Sequence, residues 1–176
     1  MVVFLPRCWG ESVSPRNGVF VSRDYSPEGV RKALEEGEKL FLIGADAIGK
    51  KKGWLFASDH LALFGTGDLA GPNNENFGPR FPNLRGMYIV PSLSGETLSA
   101  GTVLRVPDIR FTTGAELRGL PCDAVVSGGM DLAVAAAHGG AKVVFALNCR
   151  SLEENSANDF SLLNQVIQEI KGGEEQ

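Results

Sequence analysis

The chain has 176 residues, 43% of them hydrophobic and 22% charged, and this length and composition predict a single globular domain with a substantial core. A net charge of −4 offers no basic surface for a nucleic acid, and three cysteines without metal-ligand spacing argue against a metal site and a disulfide framework. Since no apolar run is long enough to span a membrane and the N-terminus lacks a signal-peptide pattern, we expect a cytoplasmic protein with no membrane partner.

Strands and helices alternate along the chain, and this alternation predicts an α/β fold. Apolar runs predict strands at residues 2–5, 19–21, 39–43, 54–57, 87–90, 102–106, 124–126 and 142–147. Capping residues predict four helices, which begin after Ser26, Thr113, Asp131 and Asp159, and glycines predict helix ends at Gly37 and at Gly172-Gly173.

Small residues follow two of the predicted strands. Residues 44–49 predict a turn at the carboxyl end of a buried strand, which is where ligands bind in α/β sheets. Gly128-Gly129 precede the alanine-rich helix and could offer backbone N–H groups to an anion, although Asp131 would repel a phosphate there.

Residues 71–82, with the sequence GPNNENFGPRFP, are the most informative stretch of the chain. Three prolines exclude a helix interior and a central strand. Because Phe77 and Phe81 need burial and Arg80 needs a partner, we expect an ordered, packed loop. Such a loop either fills an interface or carries function.

The two histidines lie in dissimilar contexts. His60 follows Asp59 at a strand end, so it either forms a catalytic pair or anchors the 71–82 loop, and we favour the anchor. His138 lies on the alanine-rich helix, where a packing role is the expectation.

The Asp-His pair at residues 59–60 and the stretch 71–82 resemble the signature loop of the trimeric purine nucleoside phosphorylases, in which Asp-His precedes Gly-Pro-Asn and Phe-Gly-x-Arg-Phe-Pro. Residues 111–118, FTTGAELR, are similar to the family's Phe-Glu-Thr-Pro-Ala-Glu-Ile-Arg, and residues 122–125 resemble its Ala-Asp-Ala-Val. The likeness covers most of residues 39–147. It implies that residues 1–176 form one α/β sandwich domain around a mixed, partly barrel-like sheet.

The resemblance also implies an activity, the phosphorolysis of a purine nucleoside to free base and pentose 1-phosphate. Phosphate would be the co-substrate and no cofactor would be needed. The partners implied are a nucleoside or purine and further copies of the chain, in a trimer or hexamer. In such an assembly, Phe64 and His60 would contact the neighbouring subunit.

Site residues follow from the resemblance position by position. Phe111 matches the phenylalanine that stacks on the purine, and Thr112 replaces the glutamate that grips the base. Ser127 and Gly128 replace a methionine and a serine. The asparagine near the base is either Asn148 or, in a gapless alignment, replaced by Ser151.

Phosphate-binding positions match less closely. Arg7 matches the phosphate arginine, Trp9 replaces a histidine two residues later, and Gly44-Ala45 correspond to a phosphate-binding turn. Whether Arg7 and Asn148 take the family's binding positions stays open. The family's glycine/serine phosphate loop has no counterpart before Val3, so we expect a domain without that segment.

These replacements leave the catalytic assignment uncertain. The alternative to an active phosphorylase is a non-catalytic homologue that binds a purine-like molecule or serves as an oligomer subunit. Asp46, Asp131 and the Asp59-His60 pair could instead serve hydrolysis, and the sequence favours none of them.

Overall fold

The computed structural model describes residues 1–9, 13, 20–63, 69–152 and 159–174, and these contain nine strands and four α-helices. The strands are β1 (Val2–Phe4), β2 (Phe20–Ser22), β3 (Leu40–Gly49), β4 (Gly53–Leu61), β5 (Ser92–Leu93), β6 (Glu96–Thr97), β7 (Ala100–Arg105), β8 (Ala124–Val126) and β9 (Lys142–Arg150). The helices are α1 (Pro27–Glu35), α2 (Gly114–Gly119), α3 (Met130–His138) and α4 (Ser161–Glu174), with short 3₁₀ turns at Arg7–Trp9 and Ile109–Phe111.

Seven strands form one mixed sheet in the order β2-β1-β3-β8-β7-β4-β9. Because β3 also pairs with β9, the five strands from β3 to β9 close into a ring, while β1 and β2 extend from β3 on the open side. The β3–β8 and β4–β9 pairs are antiparallel and the other pairs in this sheet are parallel. The α/β class and the mixed, partly barrel-like sheet are therefore confirmed.

The paired strands β3 and β9 form the centre of the molecule. They run parallel in register from Leu40 opposite Lys142 to Ile48 opposite Arg150. Both are almost entirely buried, as expected for strands covered on both faces. Helices α1 and α3 pack on one face of the sheet, while α4 and the turn at Arg7–Trp9 pack on the other.

Local capping signals place two helix starts as predicted. The Ser26 hydroxyl accepts the backbone N–H of Gly29, and Pro27 occupies the first turn of α1. Thr113 and Glu116 form a reciprocal capping box at the start of α2. Gly37 follows α1 with a φ of 95°, a conformation that glycine adopts without strain.

The predicted turn at residues 44–49 is wrong, because β3 continues without interruption to Gly49. The small residue at position 44 serves close packing: a Cβ there would lie 2.3 Å from Trp9 Cζ3. Gly44 therefore makes room for an indole ring rather than for a change of chain direction.

Three further boundaries differ from the predictions. Asp131 does not cap α3, which begins after Gly129 without a side-chain cap. Helix α4 continues through Gly172-Gly173 to Glu174. Residues 87–90 make a single bridge, between Tyr88 and Val143, rather than a strand.

The loop at residues 71–82 is irregular, and in it Arg80 has a partner as expected, whereas Phe81 is not buried. Phe81 is 88% exposed, so the predicted burial of this ring is wrong. Arg80 donates to the carbonyl of Gly71. The His138 ring lies 3.2 Å from the carbonyl oxygen of Pro79, so the end of α3 holds the loop.

Candidate ligand-binding site

One row of residues crosses the ends of three strands. Asn148 on β9 pairs with Asp46 on β3. On the other side of β3, Ala47 pairs with Val126, the last residue of β8, and Ser127 follows directly after that strand. Of the predicted substrate-binding residues, Asn148 thus lies directly beside Asp46, and Ser127 comes directly after the strand on the other side of β3.

The side chain of Asp46 lies on the same face of the sheet as the neighbouring apolar cleft. Side chains alternate along a strand, so Asp46 and Ile48 project from one face of β3, opposite to Ala45 and Ala47. Ile48 packs against a cluster that includes Val106 and Val125, and both of these residues also line the cleft. The side chain of Asp46 and the lining of the cleft are therefore on the same face of the sheet.

The carboxylate of Asp46 collects donors from two separate segments, the turn at Arg7–Trp9 and strand β9. Trp9 Nε1 donates to Asp46 Oδ1 at 3.1 Å and Asn148 Nδ2 donates to the same oxygen at 3.3 Å. Arg150 Nη2 lies 3.7 Å from Oδ1, and the Cys8 thiol lies 3.8 Å from Oδ2. Such contacts offset the cost of placing a charge in a central strand.

A half-buried phenol supports this row from behind. The Tyr25 hydroxyl donates to the carbonyl of Gly44 at 2.6 Å. A Cβ on Gly129 would lie 2.6 Å from the same hydroxyl, so Tyr25 joins β3 to the start of α3. Burial, followed by the charges of Asp131 and Asp46, raises the pKa of Tyr25, which therefore remains a neutral donor.

The cleft beside this row has a volume of about 420 Å³. Its lining consists of Val106, Pro107, Asp108, Phe111, Thr112, Glu116, Leu120 and Val125. Phe111 is 78% exposed, so one face of its ring can receive a planar ligand. The structure thus brings Phe111 and Thr112 together in a largely apolar cleft.

Charged groups at the cleft are already engaged with neighbours. Asp108 and Arg110 form a two-pronged ion pair, and hydrogen bonds from Arg110 lower the pKa of Asp108. The Arg110 guanidinium carbon lies 5.9 Å from the centroid of the Phe111 ring. Glu116 accepts the backbone N–H and hydroxyl of Thr113, so its carboxylate caps α2 rather than facing a ligand.

Of the predicted phosphate-binding residues, Arg7 is accessible, whereas Gly44 and Ala45 are not. Gly44 and Ala45 are buried inside β3 and form no turn, so the assignment of a phosphate turn to them loses its structural basis. Arg7 is exposed on the 3₁₀ turn, two residues before Trp9, and makes no hydrogen bond or ion pair with another described residue. Its guanidinium is therefore available to an anion.

The predicted subunit contacts stay predictions. Phe64 lies outside the described residues. His60 lies on β4, where its Nδ1 is 3.0 Å from the Tyr88 hydroxyl and its ring packs edge-on against the Tyr88 ring.

Sequence patterns do not predict the central position of Asp46 or the roles of Trp9 and Tyr25. A signal for Asp46 was present, because it is the lone charged residue in the apolar stretch of β3. Nothing local marks Tyr25, whose contact with Gly44 depends on the packing of α1 against the sheet.

Two properties concern the described part of the chain as a whole. Within it, no group of three or more His, Cys, Asp or Glu side chains is arranged to hold a metal ion. Among the same residues, no helix has the length and apolar character that crossing a membrane requires.

Comparison with known proteins gives structural matches alone. No protein-family model matches the chain, and no curated protein matches it significantly in sequence. The purine nucleoside phosphorylase of Schistosoma mansoni in complex with acetate matches with a TM-score of 0.67 and 22% identity, over 84% of this chain and 65% of that chain. The same organism's enzyme in complex with BCX-34 matches with a TM-score of 0.73 and 20% identity, over 97% of this chain and 88% of that chain.

A third match, a Schistosoma purine nucleoside phosphorylase in complex with hypoxanthine, has a TM-score of 0.66 and 20% identity, over 99% of this chain and 86% of that chain. At these identities the likeness is one of fold. The chain is similar to the purine nucleoside phosphorylases in its architecture and has their fold.

Proposed function

We propose that this protein binds a purine nucleoside, with the base on Phe111 and the pentose towards Asp46 and Ser127, and cleaves the bond between them by phosphorolysis. The products are the free purine and a pentose 1-phosphate. One observation carries this proposal: the exposed Phe111 ring lines an apolar cleft on the face of the sheet from which the polar side chain of Asp46 also projects. The fold shared with purine nucleoside phosphorylases supports it.

Each part of the site has a distinct task in this proposal. The ring of Phe111 stacks on the base, and the Thr112 hydroxyl makes one hydrogen bond to its edge. A Cβ on Gly128 would meet no atom within 4 Å, so the backbone there is open to the pentose. Arg7 supplies the positive charge that attracts phosphate.

A second candidate is binding without turnover, and two observations favour it. Thr112 is neutral, so it cannot accept two N–H groups of the purine as a carboxylate can. The carboxylate of Asp46 places a negative charge beside Trp9, two residues along the chain from the Arg7 that would receive phosphate. Because the loss of a single transition-state contact costs ~10²–10³ in rate, several losses would leave little phosphorolysis.

Product analysis with inosine distinguishes the two candidates. The protein is incubated with inosine with and without phosphate, and hypoxanthine and ribose 1-phosphate are measured by chromatography. We expect ribose 1-phosphate to form in phosphate buffer and the apparent phosphate affinity to fall in Arg7→Ala. Arg23→Ala, which removes another exposed arginine, is the matched control. Inosine binding without either product would establish the second candidate.

A further inference from the structure

We propose that Asp46 gives this site a hydrolytic activity, in which water replaces phosphate as the acceptor of the pentose. The inference rests on the proposed binding of a purine nucleoside. It names Asp46 as the general base and water as the second substrate.

The two oxygens of the Asp46 carboxylate have different surroundings. Oδ1 faces the indole N–H of Trp9, the amide of Asn148 and the guanidinium of Arg150. Among the described residues, Oδ2 has one hydrogen-bond contact, the Cys8 thiol at 3.8 Å, and a thiol is a weak donor. Oδ2 can therefore accept a proton from a water molecule, which reaches the side chain because 26% of it is exposed.

The groups that hold Oδ1 are themselves immobilised. The Trp9 indole is buried and packs edge-on against the rings of Trp54 and Phe160, at centroid distances of 5.5 and 5.3 Å. The Asn148 side chain is buried in β9. A general base acts efficiently when its orientation is set before the substrate arrives, and these contacts set the orientation of Asp46.

The charge of Asp46 also favours water over phosphate. A carboxylate repels an approaching phosphate anion, whereas it imposes no such penalty on a neutral water molecule. As the bond from the pentose to the base breaks, positive charge develops on the sugar, and a nearby carboxylate stabilises it.

The distance between Asp46 and the cleft suits a nucleoside. The path runs from β3 across β8, through the Ala47–Val126 pair, to Val106, whose N–H donates to the Val126 carbonyl and whose side chain lines the cleft. Two strand spacings amount to about 10 Å. A purine on Phe111 thus extends its pentose towards Asp46.

The proposed step is balanced in atoms and charge. A water oxygen forms the new bond to C1′ and gives its proton to Asp46 Oδ2. The bond from C1′ to the purine nitrogen breaks, and its electron pair leaves with the base. The base takes a proton from solvent while Asp46 returns one to solvent, so nucleoside and water yield purine and free pentose.

The test measures hypoxanthine release from inosine in phosphate-free buffer. We expect release by the unaltered chain, a ~10²-fold or greater loss of kcat in Asp46→Asn, and little change in KM. Glu35→Gln, which neutralises an exposed carboxylate on α1, is the matched control and should retain the activity. Trp9→Phe keeps an aromatic ring but removes the donor to Oδ1, so kcat should fall less steeply than in Asp46→Asn, again without a change in KM.

The outcomes separate this inference from the function on which it rests. If hypoxanthine is released only when phosphate is present, phosphorolysis stands and the hydrolytic inference is overturned. If Asp46→Asn releases hypoxanthine without phosphate as fast as the unaltered chain does, the role of Asp46 is overturned. Where Asp46→Asn does not fold, an unchanged release rate in Trp9→Phe has the same consequence. If the chain does not bind inosine, both proposals fail.

Discussion

At the scale of single residues, Asp46 affects both the stability of the fold and the proposed chemistry. A lone carboxylate in a buried strand is unfavourable unless other groups compensate for its lost hydration. Here the compensation comes from Trp9, Asn148 and Arg150, which lie far from Asp46 in sequence. The same contacts that stabilise the charge also fix the orientation of the carboxylate. We therefore expect substitutions at Asp46 to change the properties of the side chains that contact it.

The pKa and the reactivity of the Cys8 thiol depend on the charge of Asp46. Burial, followed by the charge of Asp46, raises the pKa of Cys8, which lowers the thiolate fraction of this exposed thiol. Asp46→Asn removes the negative charge, so the pKa of Cys8 should fall and its alkylation by iodoacetamide at pH 8 should become faster, because the thiolate is the reactive form. The rate is followed by mass spectrometry.

Cys8→Ser gives the background for that measurement. Cys122 and Cys149 are buried, and burial raises the pKa of Cys149 to about 12, so neither should react in the folded protein. An unchanged alkylation rate in Asp46→Asn would show that the carboxylate does not act on the thiol.

At the scale of elements, the 71–82 loop is held by the end of α3. A Cβ at Gly78 would lie 2.0 Å from the His138 carbonyl oxygen, and this backbone atom cannot move aside without distorting the helix end. We therefore expect Gly78→Ala to lower the free energy of unfolding by about 1–3 kcal/mol, measured by urea denaturation.

Gly119→Ala is the control for that variant. A Cβ at Gly119 would meet nothing within 4 Å, so the free energy of unfolding should stay within about 0.5 kcal/mol of the original value. Equal stability of the two variants would mean that the loop does not pack on α3 as described.

The capping box of α2 makes a second prediction at this scale. Thr113→Ala removes the hydroxyl that accepts the Glu116 N–H, and such a change costs about 1 kcal/mol, whereas Thr113→Ser should retain most of the stability. Hydrogen bonds from the Thr113 backbone and hydroxyl lower the pKa of Glu116, so this stabilisation exists above the ordinary glutamate pKa and is lost as the pH falls through the lowered value. Denaturation at pH 7 and pH 3 should show that the difference in free energy of unfolding between Thr113→Ser and Thr113→Ala is smaller at pH 3. An equal difference at both pH values would contradict the capping box.

The elements that the sequence predicted correctly carry their signals locally. Ser26-Pro27 and the Thr113–Glu116 box act within one helical turn, so a short stretch of sequence is sufficient to identify them. The resemblance to nucleoside phosphorylases added the mixed sheet, which local patterns alone do not specify.

The errors concern residues whose roles depend on distant parts of the chain. Gly44 suggested a turn, yet it is small because the Trp9 ring packs against it. Phe81 suggested burial, yet it is exposed in the single chain. The lone charge within β3 marks Asp46, yet its contacts with Asn148 and Trp9 follow from strand register and packing, which no pattern within β3 can reveal.

At the scale of the whole molecule, the five-stranded ring holds the cleft and the Asp46 row in a fixed relation, because β3 pairs on both sides. The loop at 71–82 lies outside this ring and leaves Phe81 exposed. We propose that this ring of Phe81 is covered by a second copy of the chain, in the trimer or hexamer that the resemblance implies.

Analytical ultracentrifugation tests that assembly. Phe81→Glu should shift the protein to a smaller species, because a charge is costly to bury in an apolar interface. Phe20→Glu alters another exposed phenylalanine, on the edge strand β2, and should leave the mass unchanged. A monomer in the unaltered protein would contradict the assembly.

Isothermal titration of hypoxanthine into the protein is the most direct test of the central claim, that the cleft under Phe111 binds a purine. Base stacking on an aromatic side chain is worth about 1–3 kcal/mol, so Phe111→Ala should weaken binding about tenfold or more, while Phe20→Ala should bind as the unaltered chain does. Absence of binding at millimolar hypoxanthine, or equal affinity in Phe111→Ala, would contradict the account.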